Sequence, residues 1–388
     1  MRLLFLIADT GGGHRASANA VAGQLNRDFP GTYEIRIVDP FAEGSPRAIG
    51  GTADLYGPIT RHVRWGWGAL YHATNSRAAV AALNATLLRF VRPGIVRELT
   101  ESTPDAVVSF HPLLNHPMAR ARRRGRPDVP MVTVITDLVD VHAAWACKDV
   151  DAVVVPSPGA LDRCLRAGIP AARCHDIGLP VDVSFTQPPP SRAERTALRM
   201  RLGLAPDSFV LLICGGADGS GGIARRARAV AAAGLDMELA VVCGRNERAL
   251  RALEGLHDVH GRRVTVHGFV SNMADWLRAS DVVATKAGPG TIAEALCCGI
   301  PLLLTSHLPG QERGNVEWVT DIGAGRYVPG VRRLLDAAAE LALPGSPRLA
   351  AMREAVRGAA RPDATRRIAA LVDSIARRGA GPAAEVPA

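Results

Sequence analysis

Short, continuous apolar runs recur along the chain, each followed by a polar or glycine-containing break and then by residues spaced for a helix. Leu3 to Ala8, Glu34 to Val38, Ala106 to Phe110, Met131 to Thr136 and Ala152 to Val155 have the length and β-branched content of strands buried on both faces. His14 to Asn26 and Ala160 to Ala167 read as helices, and Asn75 to Glu101 as a helical stretch broken at Pro93. Strand–helix alternation of this kind predicts parallel sheets with right-handed crossovers. After Pro180 the pattern is interrupted by Thr186-Gln187-Pro188-Pro189-Pro190-Ser191, which suits neither a helix nor a central strand. It then restarts, with strands at Phe209 to Cys214, Glu238 to Cys243, Val264 to Val266, Asp281 to Ala284 and Pro301 to Ser306. The pattern predicts an α/β protein of two Rossmann-like domains facing a cleft. Residues 1–185 form the first, 186–195 the linker and 196–345 the second. Residues 346–378 form C-terminal helices, the last crossing back onto the first domain, and 379–388 a disordered tail.

The most informative stretch is Thr285 to Gly325. Its strand gives way to Lys286-Ala287-Gly288-Pro289-Gly290-Thr291, and a helix follows. Glycines between a strand and a helix let the backbone approach a ligand and aim uncapped helix N–H groups at it, a setting that favours phosphate. Glu294, one turn into the helix, is placed for ribose hydroxyls. The next strand ends in Pro309-Gly310-Gln311-Glu312-Arg313-Gly314-Asn315, where Gln311, Glu312 and Asn315 suit sugar hydroxyls. Ligands bind outside the carboxyl ends of such strands. The stretch therefore predicts a nucleoside diphosphate at the first loop and its sugar at the second.

Six blocks in order resemble the monogalactosyldiacylglycerol synthase branch of the glycosyltransferase family that also contains the peptidoglycan N-acetylglucosaminyltransferase. They are this stretch, Asp9-Thr10-Gly11-Gly12-Gly13-His14-Arg15-Ala16-Ser17, Phe110-His111-Pro112, Val134-Ile135-Thr136-Asp137-Leu138, Val242-Cys243-Gly244-Arg245-Asn246 and Gly268-Phe269-Val270. The resemblance runs over roughly residues 1 to 330. It implies the GT-B architecture, a UDP-sugar donor and a lipid acceptor, most simply diacylglycerol. The chain departs from the plant-type enzymes at Leu308-Pro309 and Glu317-Trp318, which leaves the sugar open between galactose and glucose.

Composition narrows the partners. The 388 residues are 47% hydrophobic and 21% charged, mean hydropathy is +0.08, and the formal charge is +9. No apolar run reaches the roughly 18 to 20 residues of a membrane span, and Met1 to Ala8 reads as a strand, not a signal peptide. The densest basic cluster, Arg120 to Arg126, lacks aromatics, which argues against nucleic acid. Diffuse positive charge suits an anionic membrane surface or an anionic sugar nucleotide, although arginine-rich composition alone would also produce it. In Tyr56 to Tyr71, two Trp, Trp65 and Trp67, and two Tyr are interleaved with Arg61, His62 and Arg64, as at a lipid headgroup boundary. The expectation is a cytoplasmic protein, peripheral on the inner face of the plasma membrane. The seven cysteines form no C-x-x-C pair, so they read as reduced thiols.

The chemistry centres on His14. An imidazole titrates near about 6.5, and a helix N-terminus lowers that value and keeps the ring neutral, as a base requires. Gly12 and Gly13 remove side chains where an acceptor would approach. His111 and Asp137 end neighbouring strands; His111 is expected to line the cleft, and Asp137 to orient His14 or bind the acceptor. His142 is a further candidate. Asp149-Val150-Asp151 spells an acid-x-acid motif but precedes a strand, so it reads as a turn and not a metal site. Without a metal, the leaving UDP needs main-chain N–H groups along the turn Gly288 to Thr291, from Gly288, Gly290 and Thr291 about Pro289, which has no N–H, and a cation, Lys286, with Gly215 and Gly216 adding donors. Phe269 and Val270 are expected to flank the base, and Arg245 either to meet phosphate or to pair with a neighbour. The predicted reaction is inverting, metal-independent transfer of a hexose from a UDP-sugar, with no cofactor. A UDP-sugar epimerase of the same architecture and a non-enzymatic basic binding module remain the alternatives.

Overall fold

A computed structural model describes residues 1–9, 12–44 and 64–379. Thr10, Gly11, the first half of the Tyr56–Tyr71 stretch, the Trp65 side chain and the 380–388 tail lie outside the described residues. The chain forms two compact units. One comprises Met1–Val183, Pro309–Gln311 and Asp363–Ala388; the other comprises Ser184–Leu308 and Glu312–Pro362.

The first unit holds six parallel strands, β1 (Arg2–Leu6), β2 (Glu34–Val38), β3 (Ala106–Ser109), β4 (Met131–Val134), β5 (Ala152–Val155) and β6 (Cys174–Asp176), in the order β2-β1-β3-β4-β5-β6. Every residue of β3, β4 and β5 is buried, which explains why these strands read as unbroken apolar runs. Alternate residues enter opposite layers. Leu4, Leu6, Val107, Met131 and Val153 pack on one face, and Leu3, Phe5, Val108, Val132 and Val154 on the other. The second layer is completed by Ile368, Val372 and Ile375 of the helix Ala364–Gly379, which lies on the helix Gly13–Asp28. Thr365 fastens it by accepting the Val181 N–H at 3.0 Å and donating to the Val181 carbonyl at 2.7 Å.

The second unit repeats the plan with β7 (Val210–Cys214), β8 (Glu238–Val242), β9 (Thr265–His267), β10 (Val282–Lys286), β11 (Leu302–Ser306) and β12 (Gly325–Tyr327), in the order β12-β11-β10-β7-β8-β9. The chain winds one way from β7 and the other way from β10, so the loops after these two adjacent strands flank the switch point of the sheet. Asp281, just before β10, is the polar anchor of this unit. It accepts bonds from Arg195 at 2.9 Å, Arg199 at 2.7 Å, Arg353 at 2.7 Å and the Val210 N–H at 2.9 Å. Burial pushes its carboxyl up, yet Arg195, the Val210 amide and Arg199 together bring it below the usual carboxylate range.

Two expectations change. Pro93 does not break a helix: it sits in the first turn of Arg92–Glu101, where a missing N–H is harmless, and the interruption falls earlier, around the 3₁₀ turn Leu88–Phe90. The predicted linker is short, because Ser191 caps the helix Arg192–Arg201 through a capping box with Glu194. The C-terminal helices divide, with Pro347–Ala359 in the second unit and Ala364–Gly379 in the first. Among the described residues no single helix is long and apolar enough to cross a membrane. The pair Arg77–Ala85 and Leu88–Glu101, bent by 47°, passes that test together on length and composition.

Candidate active site

In the first unit the sheet brings three loops to one edge. β1, β3 and β4 are neighbours, so the segments after them converge at their carboxyl ends. Gly12, in the left-handed region at φ 80°, begins the helix Gly13–Asp28 without a side-chain cap. His14 follows in its first turn, half-buried. Its Nδ1 lies 2.9 Å from the Thr136 hydroxyl, beyond β4. His111, beyond β3, is buried and meets the His14 ring edge-on, centroids 4.7 Å apart; Trp145 stands 6.5 Å away. Burial lowers the His14 pKa to about 4, against smaller raising effects of the Phe110 main chain and Asp9. Burial, with His14 beside it, also holds His111 well below 6.5. Both rings are thus neutral near pH 7. Desolvation leads the causes of the His14 shift, where a helix-terminus effect was expected.

Asp137 does not orient His14. Its carboxylate accepts the Trp145 indole N–H at 2.7 Å and the Gln311 amide at 3.1 Å, and burial raises its pKa to about 6 against those two bonds. Gln311 thus has its amide N–H on Asp137, within the Pro309–Gln311 segment that belongs to this unit. The same segment is fitted to the helix Arg64–Thr74: a Cβ on Gly68 would lie 2.9 Å from the Pro309 side chain, and one on Gly310 2.9 Å from the Tyr71 ring. Trp67 lies on that helix, half-buried. His142 is occupied elsewhere, with Nε2 3.2 Å from the Thr74 hydroxyl and Nδ1 accepting the Ala144 N–H at 3.1 Å.

In the second unit, the glycine loop after β7 is built on itself. Gly219 has φ 58°, and a Cβ there would lie 1.8 Å from the Cys243 carbonyl oxygen; a Cβ on Gly244 would lie 2.4 Å from that of Ala217. The loops after β7 and β8 therefore mesh backbone to backbone, sealed by Asn246 donating to the Gly219 carbonyl at 2.8 Å. Gly215 is equally enclosed: its Cβ would fall 2.2 Å from the Ser220 carbonyl oxygen, whereas a Cβ on Gly216 would only touch the Lys286 side chain, at 3.7 Å. Gly290 differs, because a Cβ on it, as on Gly13 in the first unit, would meet nothing within 4 Å. The helix Pro289–Cys297 starts at Gly288 with no side-chain cap; the Gly288 N–H is given to the Lys286 carbonyl at 2.8 Å and Pro289 has none, so the expected donors narrow to Gly290 and Thr291. Thr291 and Glu294, on its first turns, are half-buried.

Lys286 donates to Glu312 at 2.9 Å, and Glu312, 3% exposed, also accepts the Leu308 N–H at 2.8 Å. The cation expected to meet UDP and the acid expected to grip the sugar are each other's partners here. Asn315 donates to the Ala287 carbonyl at 2.9 Å, and its own buried side-chain oxygen has no hydrogen-bond partner among the described residues. Phe269 is 59% exposed with the Arg245 guanidinium over its ring at 5.0 Å; Val270 beside it is half-buried.

The acid-x-acid turn is filled by arginines. Asp151 accepts from Arg122 at 2.6 Å and from the Met131 N–H at 2.7 Å, and Asp149 pairs with Arg123 at 2.9 Å. Among the described residues no group of three His, Cys, Asp or Glu side chains is arranged for a metal ion. None of the seven cysteines is joined in a disulfide. Thr136 and Trp145 are the site residues that sequence reasoning missed. Thr136 stood inside a quoted motif, but its hydroxyl carried no signal; Trp145 is buried beside His14 from a stretch without periodicity.

Comparison with known proteins agrees with this geometry. Residues 14–181 match the monogalactosyldiacylglycerol (MGDG) synthase family model, and residues 210–368 the glycosyltransferase family 28 C-terminal domain. The monogalactosyldiacylglycerol synthase of Spinacia oleracea is 33% identical over 386 residues, covering 97% of this chain and 73% of that protein. The probable synthase of Nicotiana tabacum is 34% identical over 376 residues, 95% of this chain and 69% of that one. In fold the chain is similar to MurG of Acinetobacter baumannii, with a TM-score of 0.62 at 17% identity over 96% of this chain and 100% of that one. UDP-GlcNAc 2-epimerase of Neisseria meningitidis gives 0.60 at 12%, again over 96% and 100%. One expectation is overturned: the relatives are named chloroplastic, so placement on the inner face of the plasma membrane does not stand. With two parallel Rossmann-like sheets, the uncapped glycine turn at one switch point and both halves matched in order, the chain belongs to the monogalactosyldiacylglycerol synthase family of family 28 glycosyltransferases.

Proposed function

We propose that this protein transfers a hexosyl group from a UDP-sugar to the free hydroxyl of diacylglycerol, inverting the anomeric carbon and using no metal ion. The relatives' names point to galactose as the sugar and diacylglycerol as the acceptor. The observation that carries the reading is His14: a neutral imidazole, half-buried beside Thr136 and His111, next to a glycine with open space before it. The acceptor oxygen attacks C1 of the α-linked donor while His14 takes its proton. The C1–O bond to the diphosphate breaks with its electron pair remaining on UDP. Main-chain donors at Gly290 and Thr291 offset that charge, since preorganised dipoles lower the barrier where charge develops. The exposed Phe269 ring with Arg245 over it offers a face for the uracil.

A lipid surface suits the first unit. Leu87, Phe90 and Val96 expose 42%, 40% and 45% of their area beside Arg89, Arg92 and Arg97, an apolar face rimmed by cations that fits anionic headgroups.

The test is turnover with UDP-galactose or UDP-glucose and vesicles containing diacylglycerol. Glycolipid is expected from the native protein. His14→Ala should lose about 100-fold or more in turnover, as loss of a general base does, with UDP affinity unchanged. Full activity in His14→Ala overturns the base. Sugar-nucleotide epimerisation without glycolipid overturns the reaction.

A further inference from the structure

A base must keep one ring nitrogen free for the incoming proton, so something must hold the other. In many enzymes that partner is a carboxylate, which also stabilises the imidazolium formed. Among the carboxylates, Asp9 is held by Arg15 at 2.7 Å, and Asp137, beyond β4, has its two oxygens taken by Trp145 and Gln311 at 2.7 and 3.1 Å. The side chain that reaches the ring is its neighbour: the Thr136 hydroxyl lies 2.9 Å from His14 Nδ1 and is 6% exposed, while the Phe110 main chain also acts on the ring. Thr136 is fixed where β4 ends, two strands from β1, after which His14 stands, and the parallel ladders through β3 set that spacing. The His111 ring, edge-on at 4.7 Å, blocks rotation of His14 on another side.

We propose that Thr136 is the positioning residue of the base: its hydroxyl accepts the Nδ1–H of His14, fixing the tautomer in which Nε2 carries the free lone pair. The inference rests on the base reading given under Proposed function. A hydroxyl does this without adding charge. The ring is therefore held in place but not made more basic, and the proton it gains is passed on readily once UDP has left. A carboxylate at the same point would raise the affinity of the ring for its proton and retain it.

The two variants that decide are Thr136→Val, equal in shape but lacking the hydroxyl, and Thr136→Ser, which keeps it. Each is compared with His14→Ala for turnover, KM, UDP affinity and melting temperature. The His14 tautomer is read from ¹⁵N chemical shifts of the histidine-labelled protein. We expect Thr136→Val to lower kcat about 10- to 100-fold with KM and UDP affinity within twofold, the range for loss of an outer partner. Its His14 signal should change from the Nδ1–H form to a mixture of tautomers. Thr136→Ser should restore both. A wild-type His14 protonated on Nε2, or a Thr136→Val enzyme within twofold of wild-type kcat while His14→Ala is inactive, overturns the Thr136 assignment alone. Activity retained in His14→Ala overturns the base reading itself. If Thr136→Val melts much lower, the serine variant decides: normal stability with kcat still reduced and tautomers still mixed overturns the proposal, and recovery of both supports it.

Discussion

Acidification separates a histidine held neutral by burial from one left in water. With its pKa near 4, His14 stays almost wholly unprotonated at pH 5.5, whereas a ring titrating at 6.5 would be only about one-tenth neutral there. If His14 is the base, kcat/KM should therefore fall by less than twofold from pH 7 to 5.5 on its account, where an unperturbed ring would lose about tenfold. Asp137, near 6, titrates inside the same window and needs its own control. The assay is kcat/KM between pH 5 and 8 for the wild type and Asp137→Asn. A limb near 6 that disappears in Asp137→Asn belongs to the carboxylate. A tenfold limb near 6.5 that survives in Asp137→Asn refutes the desolvation argument.

Stability gives the same groups opposite signs. The folded His14 value lies below 6.5, so its contribution is complete above 6.5 and is lost as pH falls through about 4. The folded Asp137 value lies above 3.8, so its contribution is complete below 3.8 and is lost as pH rises through about 6. Each displacement corresponds to about 2 to 3 kcal/mol, the lower figure suiting His14, whose ring keeps some solvent contact. Between pH 4 and 6 the two slopes oppose one another. Compared with the wild type, the first unit of His14→Gln should lose less stability on acidification through that window, and that of Asp137→Asn should lose more, both read by denaturant titration.

Gly290→Ala should raise stability by about 0.5 to 1 kcal/mol, since the helix has room for the methyl, yet weaken UDP binding in calorimetry; unchanged binding would remove the ligand from that turn. Phe269→Ala, at an exposed ring, should leave the melting temperature within a degree or two and lower UDP affinity about 5- to 20-fold, a stacking loss of about 1 to 2 kcal/mol. Asp281→Asn leaves three guanidiniums facing a neutral amide and should destabilise the second unit by about 3 kcal/mol or more in chemical denaturation. Phe90→Ser with Val96→Ser should reduce sedimentation with vesicles containing anionic lipid several-fold while UDP affinity stays unchanged.

The central strands were legible in the sequence because burial on both faces leaves an unbroken apolar run. β6 and β12 were not. Cys174-His175-Asp176 and Gly325-Arg326-Tyr327 are three-residue edge strands that carry polar side chains and are recognised only by the neighbour they pair with. The positions of His14 and His111 at strand ends could be read locally. The bond from His14 to Thr136 spans 122 positions and exists only because β1, β3 and β4 lie side by side. Glycine was read too uniformly. Gly13 and Gly290 face open space, as a ligand contact requires, but Gly215, Gly219 and Gly244 are small because other backbone occupies the place of a side chain. Lys286 and Glu312, assigned separately to phosphate and sugar, form one ion pair across two successive loops.

The return of the helix Ala364–Gly379 to the first sheet has a consequence for biosynthesis. Ile368, Val372 and Ile375 fill a layer against strands translated more than two hundred residues earlier. On the ribosome the amino-terminal half must wait, one apolar face covered only in part by the helix Gly13–Asp28, while the carboxy-terminal half is made and closes its own sheet. The half begun first is the last to be finished, and a nascent chain arrested before residue 364 presents the uncovered part of that layer to chaperones.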